Sequence, residues 1–560
     1  MTLHSSSGPC GPAYDPTCAP ENGSTNTPSQ NPATEPAVEP VRIVIAGGGF
    51  AGLWAARSFA NTCAASKPWY QRWYDKALAI AIALANKVSG PTSPPEEHAA
   101  PGSTSNGDSA GDFPDDFADA PSELPSKHPT SATIAGQPGT CPTPLSILVV
   151  DNNNYHTFQP LLYQVAAAEL GPEQITYPLR GIFRRMKNVD FSLACITGAD
   201  RERRLLHTDQ GDVPYDYLVL AMGSNTEFYG VTGAETHAFR LKTAEQAIAL
   251  RNHILTRFEL AARVPDPAER QRMLTFTVVG GGPTGVEYAG ALAELIRTPM
   301  HKDFRESDIA TARVVLVEGS SGLLTGYPER LRQYTLRRLA HMGVDVRLGT
   351  SVARVSQFSV QFGDGTSLPT ETVVWSAGIR GNRAAQTMGL PLGRANRVSV
   401  LPTLQVADDP RVFVAGDLAL PIQGDAPLTA PTVAPNATQQ GSLVAENILR
   451  HLRGEPLQPY AYKDKGAMAT IGRSSAVVRI GTRTVTGFVA WVLWLFVHLA
   501  YLIGFRNRLF VLVDWAWDYL FFERSVRLIM PRIPHLERGK GTPATCPGAD
   551  AETTPLNDPE

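Results

Sequence analysis

Two glycine-rich segments of this chain have the residue types and the spacing that hold phosphate groups. They are GGGFAG at residues 47–52 and GGGPTG at residues 280–285, and each follows an apolar run typical of a β-strand. In a G-x-G-x-x-G turn, the first glycine permits the tight bend, the second lets the backbone approach a pyrophosphate, and the third lets the next helix pack closely. The phosphates then meet the N–H groups and positive dipole of that helix start. We therefore predict two dinucleotide sites in one protein.

A carboxylate is expected at the end of the second strand of each unit, where it binds the nucleotide ribose. In the second unit, the apolar run 312–317 ends at Glu318. Because a carboxylate repels a 2′-phosphate, Glu318 favours NADH over NADPH. In the first unit the matching run, 145–150, ends at Asp151, so we interpret residues 61–144 as an insertion. Loop closure costs little extra for a long loop, so Asp151 still reaches a ribose; the alternative is a surface aspartate in a turn.

Three further apolar runs end in residues that suit a cofactor. Residues 217–223 and 372–378 end in Gly223 and Gly378, and a glycine at a strand end lets the backbone pass close to a ligand. The run 411–416 delivers Asp417 at a tight turn. These elements must place their ends beside the two glycine turns.

The composition excludes several classes of protein. The 560 residues carry a formal net charge of −3, which argues against nucleic-acid binding through a global basic field. The six cysteines form no C-x-x-C pair and show no zinc-site spacing, so we expect a reducing compartment and no structural metal. The first 40 residues lack the basic and apolar regions of a secretory signal, and their Pro, Ser and Thr content predicts disorder.

The order of these motifs resembles the flavoprotein disulfide reductase superfamily, and the motifs themselves are similar to those of type II NADH dehydrogenases (NADH:quinone oxidoreductases). They are NYHTFQPLLYQVA at 154–166, GGPTGVE at 281–287, WSAGI at 375–379, AGD at 415–417 and GAMATIGR at 466–473. The resemblance covers about residues 41–60 and 145–535. It implies FAD and NADH as cofactors, hydride transfer from NADH to FAD, and transfer of two electrons to a membrane quinone.

The resemblance also implies the fold class and its segments. The expected class is α/β, with two Rossmann-like dinucleotide-binding domains, the NADH domain inserted in the FAD domain, and C-terminal helices that associate with a membrane. The expected segments are a disordered N-terminus (1–40), the first part of the FAD domain (41–240, with the insertion at about 61–144), the NADH domain (241–375), the second part of the FAD domain (376–480), the membrane-associating helices (481–538) and a disordered tail (539–560).

The resemblance assigns roles to individual residues. Residues implied at the FAD are Gly47, Gly48, Gly49, Phe50, Ala51 and Gly52 at the pyrophosphate, Asp151 and Asn152 at the adenosine end, and Asp417 at the ribityl chain. Residues expected at the NADH are Gly280, Gly282, Pro283, Thr284, Gly285 and Glu318. Further cofactor contacts are expected at Ile196, Gly223, Ala377, Gly378 and Ala434.

Glu287 matches the family's carboxylate near the flavin and is the candidate catalytic residue. We expect it to relay a proton or to position the nicotinamide. The alternative is structural, since a glutamate near a helix N-terminus also complements the helix dipole.

One departure from the family pattern concerns the acceptor site. The family carries an Ala-Gln-x-Ala-x-Gln segment where quinone docks, and this chain has APNATQ at residues 434–439. Pro435 replaces the first glutamine and has neither a side-chain donor nor a backbone N–H, so one quinone contact is missing or is supplied by Asn436. Gln439 keeps the second position.

The segment GFVAWVLWLFVHLAYLIG at residues 487–504 predicts contact with a membrane. It is long enough for a marginal spanning helix. The next apolar run contains Asp514 and Asp518, which oppose a second span, so a helical pair lying in the membrane interface fits better. The alternative is a buried helix of the core or of a homodimer interface. The membrane surface would be the cytoplasmic face of the inner membrane in a bacterium, or a mitochondrial membrane otherwise.

Three other functions compete with NADH:quinone oxidoreduction. A disulfide reductase needs a redox cysteine pair after the first glycine helix, and Cys63 has no close partner in sequence. A sulfide:quinone reductase needs cysteines beside the flavin, whereas we interpret Cys195 as a small buried hydrophobe. A membrane-attached, NADH-responsive redox sensor would bind the same nucleotides without turnover. No proton pumping is expected, because one apolar helix offers no chain of intramembrane carboxylates.

Overall fold

The computed structural model describes residues 39–62, 144–424, 426–428, 430–521, 523–524 and 526–529. The predicted disordered N-terminus up to residue 38, the insertion from 63 to 143 and the tail from 539 onward lie outside the described residues. A compact unit begins at Pro40.

Strands and helices are numbered here in chain order. The strands are β1 Val41–Ala46, β2 Leu145–Asp151, β3 Tyr155–Thr157, β4 Thr176–Pro178, β5 Val189–Leu193, β6 Ile196–Asp200, β7 Leu205–Thr208, β8 Gly211–Pro214, β9 Tyr217–Leu220, β10 Ser224–Thr226, β11 Phe239–Arg240, β12 Thr275–Val279, β13 Arg313–Val317, β14 Val344–Arg347, β15 Val352–Val355, β16 Ser359–Phe362, β17 Ser367–Pro369, β18 Thr372–Trp375, β19 Ile379–Gly381, β20 Val398–Val400, β21 Gln405–Val406, β22 Asp409–Val414, β23 Ala419–Gln423, β24 Ala426–Pro427, β25 Ala467–Thr470, β26 Ala476–Ile480 and β27 Arg483–Thr486. The α-helices are α1 Phe50–Thr62, α2 Leu162–Ala166, α3 Pro172–Ile175, α4 Leu179–Phe183, α5 Ala234–His237, α6 Ala244–Ala261, α7 Pro267–Met273, α8 Pro283–Leu295, α9 His301–Asp303, α10 Glu306–Ile309, α11 Glu329–His341, α12 Ala434–Leu452, α13 Gly487–Tyr501 and α14 Phe505–Phe521.

The first large sheet has the strand order β21-β22-β9-β1-β2-β5 and is parallel except at its β21 edge. Its central strands are continuous apolar runs because both faces of a parallel sheet are covered. The pairing of β1 with β2 runs from Val41 opposite Leu145 to Ala46 opposite Val150. The predicted displaced strand ending at Asp151 is therefore confirmed, although more than 80 residues separate α1 from β2.

The second large sheet, β11-β18-β12-β13-β14, is parallel throughout and repeats the plan of the first. Strand β12 lies between β13 and β18, as β1 lies between β2 and β9. In each unit a three-stranded antiparallel sheet, β6-β7-β8 or β15-β16-β17, connects the last strand of the unit to the strand that returns beside the glycine turn. The predicted α/β class with two Rossmann-like units is confirmed.

The C-terminal part consists of the antiparallel sheet β25-β26-β27 followed by α13 and α14. The predicted apolar helix at 487–504 is observed over 15 residues, Gly487–Tyr501. Ala490, Leu493 and Trp494 are buried in the core that also contains α8. Within the described residues, we find no helix that combines the length and apolar character needed to cross a bilayer.

Candidate active site

The first glycine turn has backbone geometry that excludes side chains at two of its positions. Gly47 has a φ of 112°, and a Cβ there would lie 2.5 Å from the carbonyl oxygen of Ala221. A Cβ at Gly52 would lie 1.9 Å from the carbonyl oxygen of Gly47. A Cβ at Gly49, in contrast, would meet no atom within 4 Å, so this position faces open space. A turn that is closed toward its neighbours and open at the middle glycine fits a pyrophosphate.

The second glycine turn has nearly the same φ angle and the same close approaches as the first. Gly280 has a φ of 110°, and a Cβ there would lie 2.8 Å from the backbone nitrogen of Ala377. A Cβ at Gly285 would lie 1.9 Å from the carbonyl oxygen of Gly280, and Gly282 again faces open space. Pro283 is the first residue of α8, where a missing N–H costs nothing. Thr284 follows it in the first turn of that helix.

The acidic residue of each unit accepts a hydrogen bond from its glycine turn. The Asp151 carboxylate accepts from the backbone N–H groups of Gly48, at 2.6 Å, and Asn153, at 2.7 Å. The Glu318 carboxylate accepts from Gly281, at 2.5 Å, and Ser320, at 2.8 Å. Burial raises the pKa of Asp151, and the two backbone hydrogen bonds oppose that rise. Both carboxylates are therefore held at the mouths of the turns.

His156, in the motif after β2, packs against the first glycine turn. Its Nδ1 lies 3.1 Å from the carbonyl oxygen of Gly48, and its ring meets that of Phe50 edge to face at 4.9 Å. Burial lowers the pKa of His156 to about 4, so the imidazole is neutral at pH 7. Its Nε2 is buried and lacks a partner among the described residues. An unpaired ring nitrogen beside a phosphate turn fits a ligand hydroxyl, and sequence reasoning assigned His156 no role.

Asp417 lies in the short turn after β22, next to Gly416, whose missing side chain lets α1 and α12 come close. Gly416 has a φ of 78°, and its N–H donates to Gln440 of α12 at 2.7 Å. Ser224 donates to the Asp417 carboxylate at 2.8 Å, and Lys242 donates to Ser224 at 3.2 Å. Burial lowers the pKa of Lys242, and Asp417 opposes that effect. No sequence pattern pointed to Lys242, because only the fold brings β10, β11 and β22 together.

Glu287 lies in the second turn of α8 and is 8% exposed. Its carboxylate accepts from the backbone N–H of Thr470 at 3.3 Å. Burial raises the pKa of Glu287 to about 8, and the hydrogen bond from the Thr470 backbone opposes the rise. A carboxyl with this pKa keeps its proton at pH 7 and can donate it.

Aromatic side chains of α13 and the 154–166 motif pack against one another in the core that also contains α8. The Trp494 ring stacks on the His498 ring at 3.9 Å, and the Tyr163 ring lies 6.5 Å from Trp494. His498 donates from Nδ1 to the Trp494 carbonyl oxygen at 2.8 Å. Burial lowers the pKa of His498 to about 4. Trp494, which lies in the helix predicted to contact a membrane, is thus buried in the protein core.

The segment expected to bind quinone begins α12. Pro435 is in its first turn, after Val433 as N-cap. The Gln439 amide is bonded at both ends to the backbone of Lys463, with both distances 3.0 Å. Asn436 is 1% exposed, donates to the carbonyl oxygen of Pro431 at 2.8 Å and accepts from the Tyr460 hydroxyl. Asn436 is therefore not free to replace the contact that Pro435 lacks.

The other residues expected to contact a cofactor lie at or next to the ends of strands and helices. Gly223 and Gly378 have positive φ values of 69° and 73°, Ala377 approaches Gly280, Ala434 begins α12, Ile196 begins β6, and Asn152 follows Asp151. Cys195 is buried as expected but is disulfide-bonded, which corrects the interpretation of a simple hydrophobe. The other five cysteines lie outside the described residues.

Comparison with known proteins identifies the family. Residues 132–441 match the family model described as pyridine nucleotide-disulphide oxidoreductase, and residues 465–524 match the NDH2 C-terminal domain. The type II NADH:quinone oxidoreductase Ndh of Mycobacterium tuberculosis is 38% identical over 398 residues, which cover 68% of this chain and 84% of the relative. The chain belongs to the type II NADH:quinone oxidoreductase family. NdhA of the same organism is 36% identical over 394 residues, covering 67% of this chain and 82% of the relative.

Two solved structures share the fold of this chain. NDH2 from Plasmodium falciparum, solved in complex with NADH, matches with a TM-score of 0.67 at 16% identity, covering 88% of this chain and 100% of that one. A sulfide:quinone oxidoreductase from Aquifex aeolicus matches with a TM-score of 0.53 at 17% identity, covering 89% of this chain and 95% of that one. These likenesses concern the fold alone, whereas the sequence relatives specify the family.

Proposed function

We propose that this protein is a non-proton-pumping NADH:quinone oxidoreductase that uses FAD to pass two electrons from NADH to a membrane quinone. The observation that carries the proposal is the pair of equivalent glycine turns, each open at its middle glycine and each with a carboxylate at its mouth. Membership of the type II family supports the donor and the acceptor. FAD, when bound, supplies the redox chemistry by accepting hydride from NADH and releasing electrons to quinone.

The first unit, in segments 41–240 and 376–480, is assigned to FAD. Gly47 to Gly52 and the N-terminus of α1 would receive the pyrophosphate, since the open Gly49 leaves the helix start accessible. The Asp151 carboxylate, with Asn152 beside it, would accept a hydrogen bond from a ribose hydroxyl, either in addition to the bond from Gly48 or in place of it. Asp417 would receive the ribityl chain, because Ser224 and Lys242 already orient its carboxylate. Ile196, Gly223 and Ala434 are assigned to the same ligand.

The second unit, residues 241–375, is assigned to NADH. The pyrophosphate would bind at the N-terminus of α8, against the turn formed by Gly280, Gly282 and Gly285. Pro283 and Thr284, in the first turn of α8, are assigned to the same ligand. Glu318 would bind the adenosine ribose and disfavour a 2′-phosphate. Ala377 and Gly378 follow β18, whose end passes directly beside Gly280. Glu287 lies one turn further along α8, so an NADH held at this helix start would have its nicotinamide end within the same part of the protein.

Glu287 is proposed as a protonated donor at the reacting end of the site. Its burial excludes water, and its bond from Thr470 fixes the carboxyl orientation. A group with a pKa near 8 suits proton transfer at neutral pH. The alternative role, complementing the helix dipole, is poorly suited to a carboxyl that stays neutral.

The acceptor site is proposed at the start of α12. Gln439 is exposed enough to meet a ligand, and its two bonds to Lys463 hold its amide in one orientation. Pro435 offers only its ring to a quinone, so we expect apolar contact there in place of a hydrogen bond.

The surface of α14 supports attachment to a bilayer. Its protein-facing side is polar: Asn507 donates to the carbonyl oxygens of Glu173 and Thr176, and Asp514 accepts from Gln174. Its outer side is apolar, which is the reverse of an ordinary surface helix. Exposed apolar residues on α13 and α14 are Phe488, Val489, Val492, Phe505, Leu509, Phe510, Leu512, Val513, Trp517, Tyr519, Leu520 and Phe521.

An exposed apolar patch of this kind marks a binding surface, and a helix with aromatics among its apolar residues suits the headgroup region. We assign it to the lipid surface, on the cytoplasmic face of the inner membrane if the source is bacterial. A second copy of the chain is the competing occupant. Sedimentation of the protein in detergent distinguishes a homodimer from a monomer that uses this surface for lipid.

The proposed function is tested by purifying the protein, recording its flavin spectrum, and measuring NADH oxidation with a soluble quinone. Multiple turnovers are expected with NADH. Sulfide is offered in parallel as an alternative donor, and sulfide oxidation without NADH activity would overturn the assignment. Flavin reduction by NADH with negligible quinone turnover would instead indicate a redox sensor.

A further inference from the structure

A cavity of about 350 Å³ lies outside the two glycine turns, where the end of α8 meets α11 and the end of α14. Four guanidinium groups line it, from Arg297, Arg338, Arg473 and Arg524. Two carboxylates also line it, from Glu294 and Asp518, so guanidiniums outnumber carboxylates by two. A concave wall with an excess of arginine is suited to an anion that carries several oxygens.

The acidic residues in and beside the cavity are largely committed to one buried arginine. Arg524 is 3% exposed and pairs with Glu169 at 2.9 Å and Glu294 at 3.6 Å. Glu294 also accepts from the backbone N–H of Arg473. Arg524 therefore ties the segment after α14 to the core, and it already engages both carboxyl groups.

Arg297 and Arg338 have no such balance within the part of the chain that the structure describes. Arg297 donates to the carbonyl oxygen of His341 at 3.1 Å, and Arg338 donates to that of Arg473 at 3.3 Å. Neither forms an ion pair with a described carboxylate, and the Nε of Arg338 is buried without a partner. Backbone carbonyls satisfy one N–H of each fork and leave the others available for an anion.

The cavity wall continues along the chain into the apolar surface of α14. Arg473 donates to the carbonyl oxygens of Asp518 and Tyr519, at 3.2 and 3.4 Å. Trp517 and Leu520, on either side of this pair, are exposed by 49% and 66%. Basic groups that recognise phosphate thus adjoin apolar groups that recognise acyl chains.

We propose that this cavity binds the phosphodiester headgroup of an anionic phospholipid, whose acyl chains lie against the outer side of α14. The proposal rests on the proposed function in that α14 must face a bilayer. The shared chemistry is a phosphate ester held by the guanidiniums of Arg297 and Arg338. The adjoining apolar surface favours a lipid over a soluble phosphate ester as its source.

The test compares two doubly substituted full-length proteins. In one, Arg297→Gln and Arg338→Gln remove the two unbalanced guanidiniums. In the matched control, Arg330→Gln and Arg337→Gln remove the same charge from exposed positions of α11 outside the cavity. Flotation with phosphatidylcholine vesicles, with and without phosphatidylglycerol, measures the partition coefficient of each protein.

We expect the cavity variant to lose about tenfold or more of its partition onto phosphatidylglycerol vesicles, since each arginine near an anionic surface strengthens partition by roughly fivefold. The control should lose distinctly less, and phosphatidylcholine should show no difference between the proteins. Equal losses in both variants would overturn the proposal, because they would indicate general charge attraction. Saturable calorimetric binding of glycerol 1-phosphate, lost in the cavity variant, without any effect on vesicles would assign the cavity to a soluble phosphate ester and equally overturn it.

NADH oxidation with a water-soluble quinone in detergent is measured on the same preparations. Both variants should keep the wild-type rate, because none of the four arginines contacts the glycine turns or Glu287. Failure of the wild type in this assay would contradict the proposed function, while the vesicle result would still decide the headgroup site.

Discussion

The two nucleotide-binding units share one turn and differ in what surrounds it. In both, the first glycine has a φ near 110° and the last glycine lies against the carbonyl oxygen of the first. The first turn is enclosed by two helices, since a Cβ at Gly441 of α12 would lie 2.1 Å from the carbonyl oxygen of Ala51 in α1. The second turn opens onto α8, which leads to the buried Glu287. In the proposed function the turns bind phosphate, and the neighbouring helices are what distinguishes the two sites.

The units also differ in how their first helix connects to the second strand. In the second unit, α8 runs into a π-helical turn, Ile296–Met300, and then two short helices before β13. In the first unit, residues 63–143 intervene between α1 and β2, yet six consecutive residue pairs still align β1 with β2. The pairing is therefore maintained by the apolar runs themselves, which are continuous because both faces of this parallel sheet are covered.

The largest expected effect comes from closing each turn separately. Gly52→Ala places a Cβ 1.9 Å from a carbonyl oxygen and should abolish FAD binding, giving a colourless protein. Gly285→Ala produces the same collision in the second turn and should leave a yellow protein that NADH no longer reduces. Flavin absorbance and its bleaching by NADH measure both outcomes.

Gly282→Ala is the matched control, because a Cβ there meets no atom within 4 Å and its backbone φ is −72°. It should fold and keep its flavin, because its Cβ projects only into the open space of the turn. If Gly285→Ala also lost its flavin, the two turns would not act as separate sites and the contrast between them would fail.

Glu287→Gln should slow turnover by roughly 10²-fold while FAD stays bound, since that is the contribution of a positioned proton-transfer group. The wild-type rate should fall as the pH rises through about 8, where Glu287 loses its proton, and the variant should lack that decline. Steady-state rates from pH 6 to 10 measure both. An unchanged rate would return Glu287 to a structural role.

The same pKa predicts a change in stability with pH. The folded protein keeps the Glu287 proton up to about pH 8, whereas the unfolded chain releases it near the ordinary value of 4.5. The contribution of Glu287 to the free energy of unfolding therefore falls as the pH rises from 4.5 to 8. The Tm of Glu287→Gln relative to wild type should rise across that interval, and a constant difference would contradict the raised pKa.

Glu318→Ala should raise the KM for NADH by about tenfold, because it removes a contact to the ribose. It should also reduce the preference for NADH over NADPH, because it removes a charge that repels a 2′-phosphate. FAD content should not change. The two KM values, measured with one soluble quinone, test this. An intact preference would place the discrimination elsewhere in the second unit.

The smallest effect is expected at the acceptor end. Gln439→Ala should raise the KM for quinone several-fold and leave NADH oxidation by ferricyanide unchanged, since one hydrogen bond contributes about 1 kcal/mol. Pro435→Gln should lower the quinone KM by a similar factor if the missing contact matters. Equal effects on both acceptors would indicate that these residues act through the flavin site.

Much of the fold could be predicted from local pattern. Continuous apolar runs identified the central strands, and glycines at their ends identified the turns, because parallel strands are buried on both faces. Asp151 was also predictable, since its strand matches β1 in length and apolar character.

The rest of the site depends on contacts between distant segments. Lys242 bonds to Ser224, and Ser224 bonds to Asp417 only because β22 returns to the first sheet beside β9. Trp494 resembles a membrane residue in sequence, because lipid and a protein core select the same apolar side chains. The sequence of α14 does indicate which side of the helix faces the protein. Residues spaced three or four apart share one face of a helix, and this face carries Asn507, Val511, Asp514 and Asp518.

Two separate turns that bring a nicotinamide to a flavin are central to this interpretation of the molecule. Anaerobic titration of the purified protein with NADH tests that arrangement most directly. We predict a yellow protein whose visible flavin absorbance is bleached by about one equivalent of NADH, since each flavin accepts one hydride, and restored by added quinone. A protein that binds no flavin, or whose flavin NADH leaves oxidised, would contradict it.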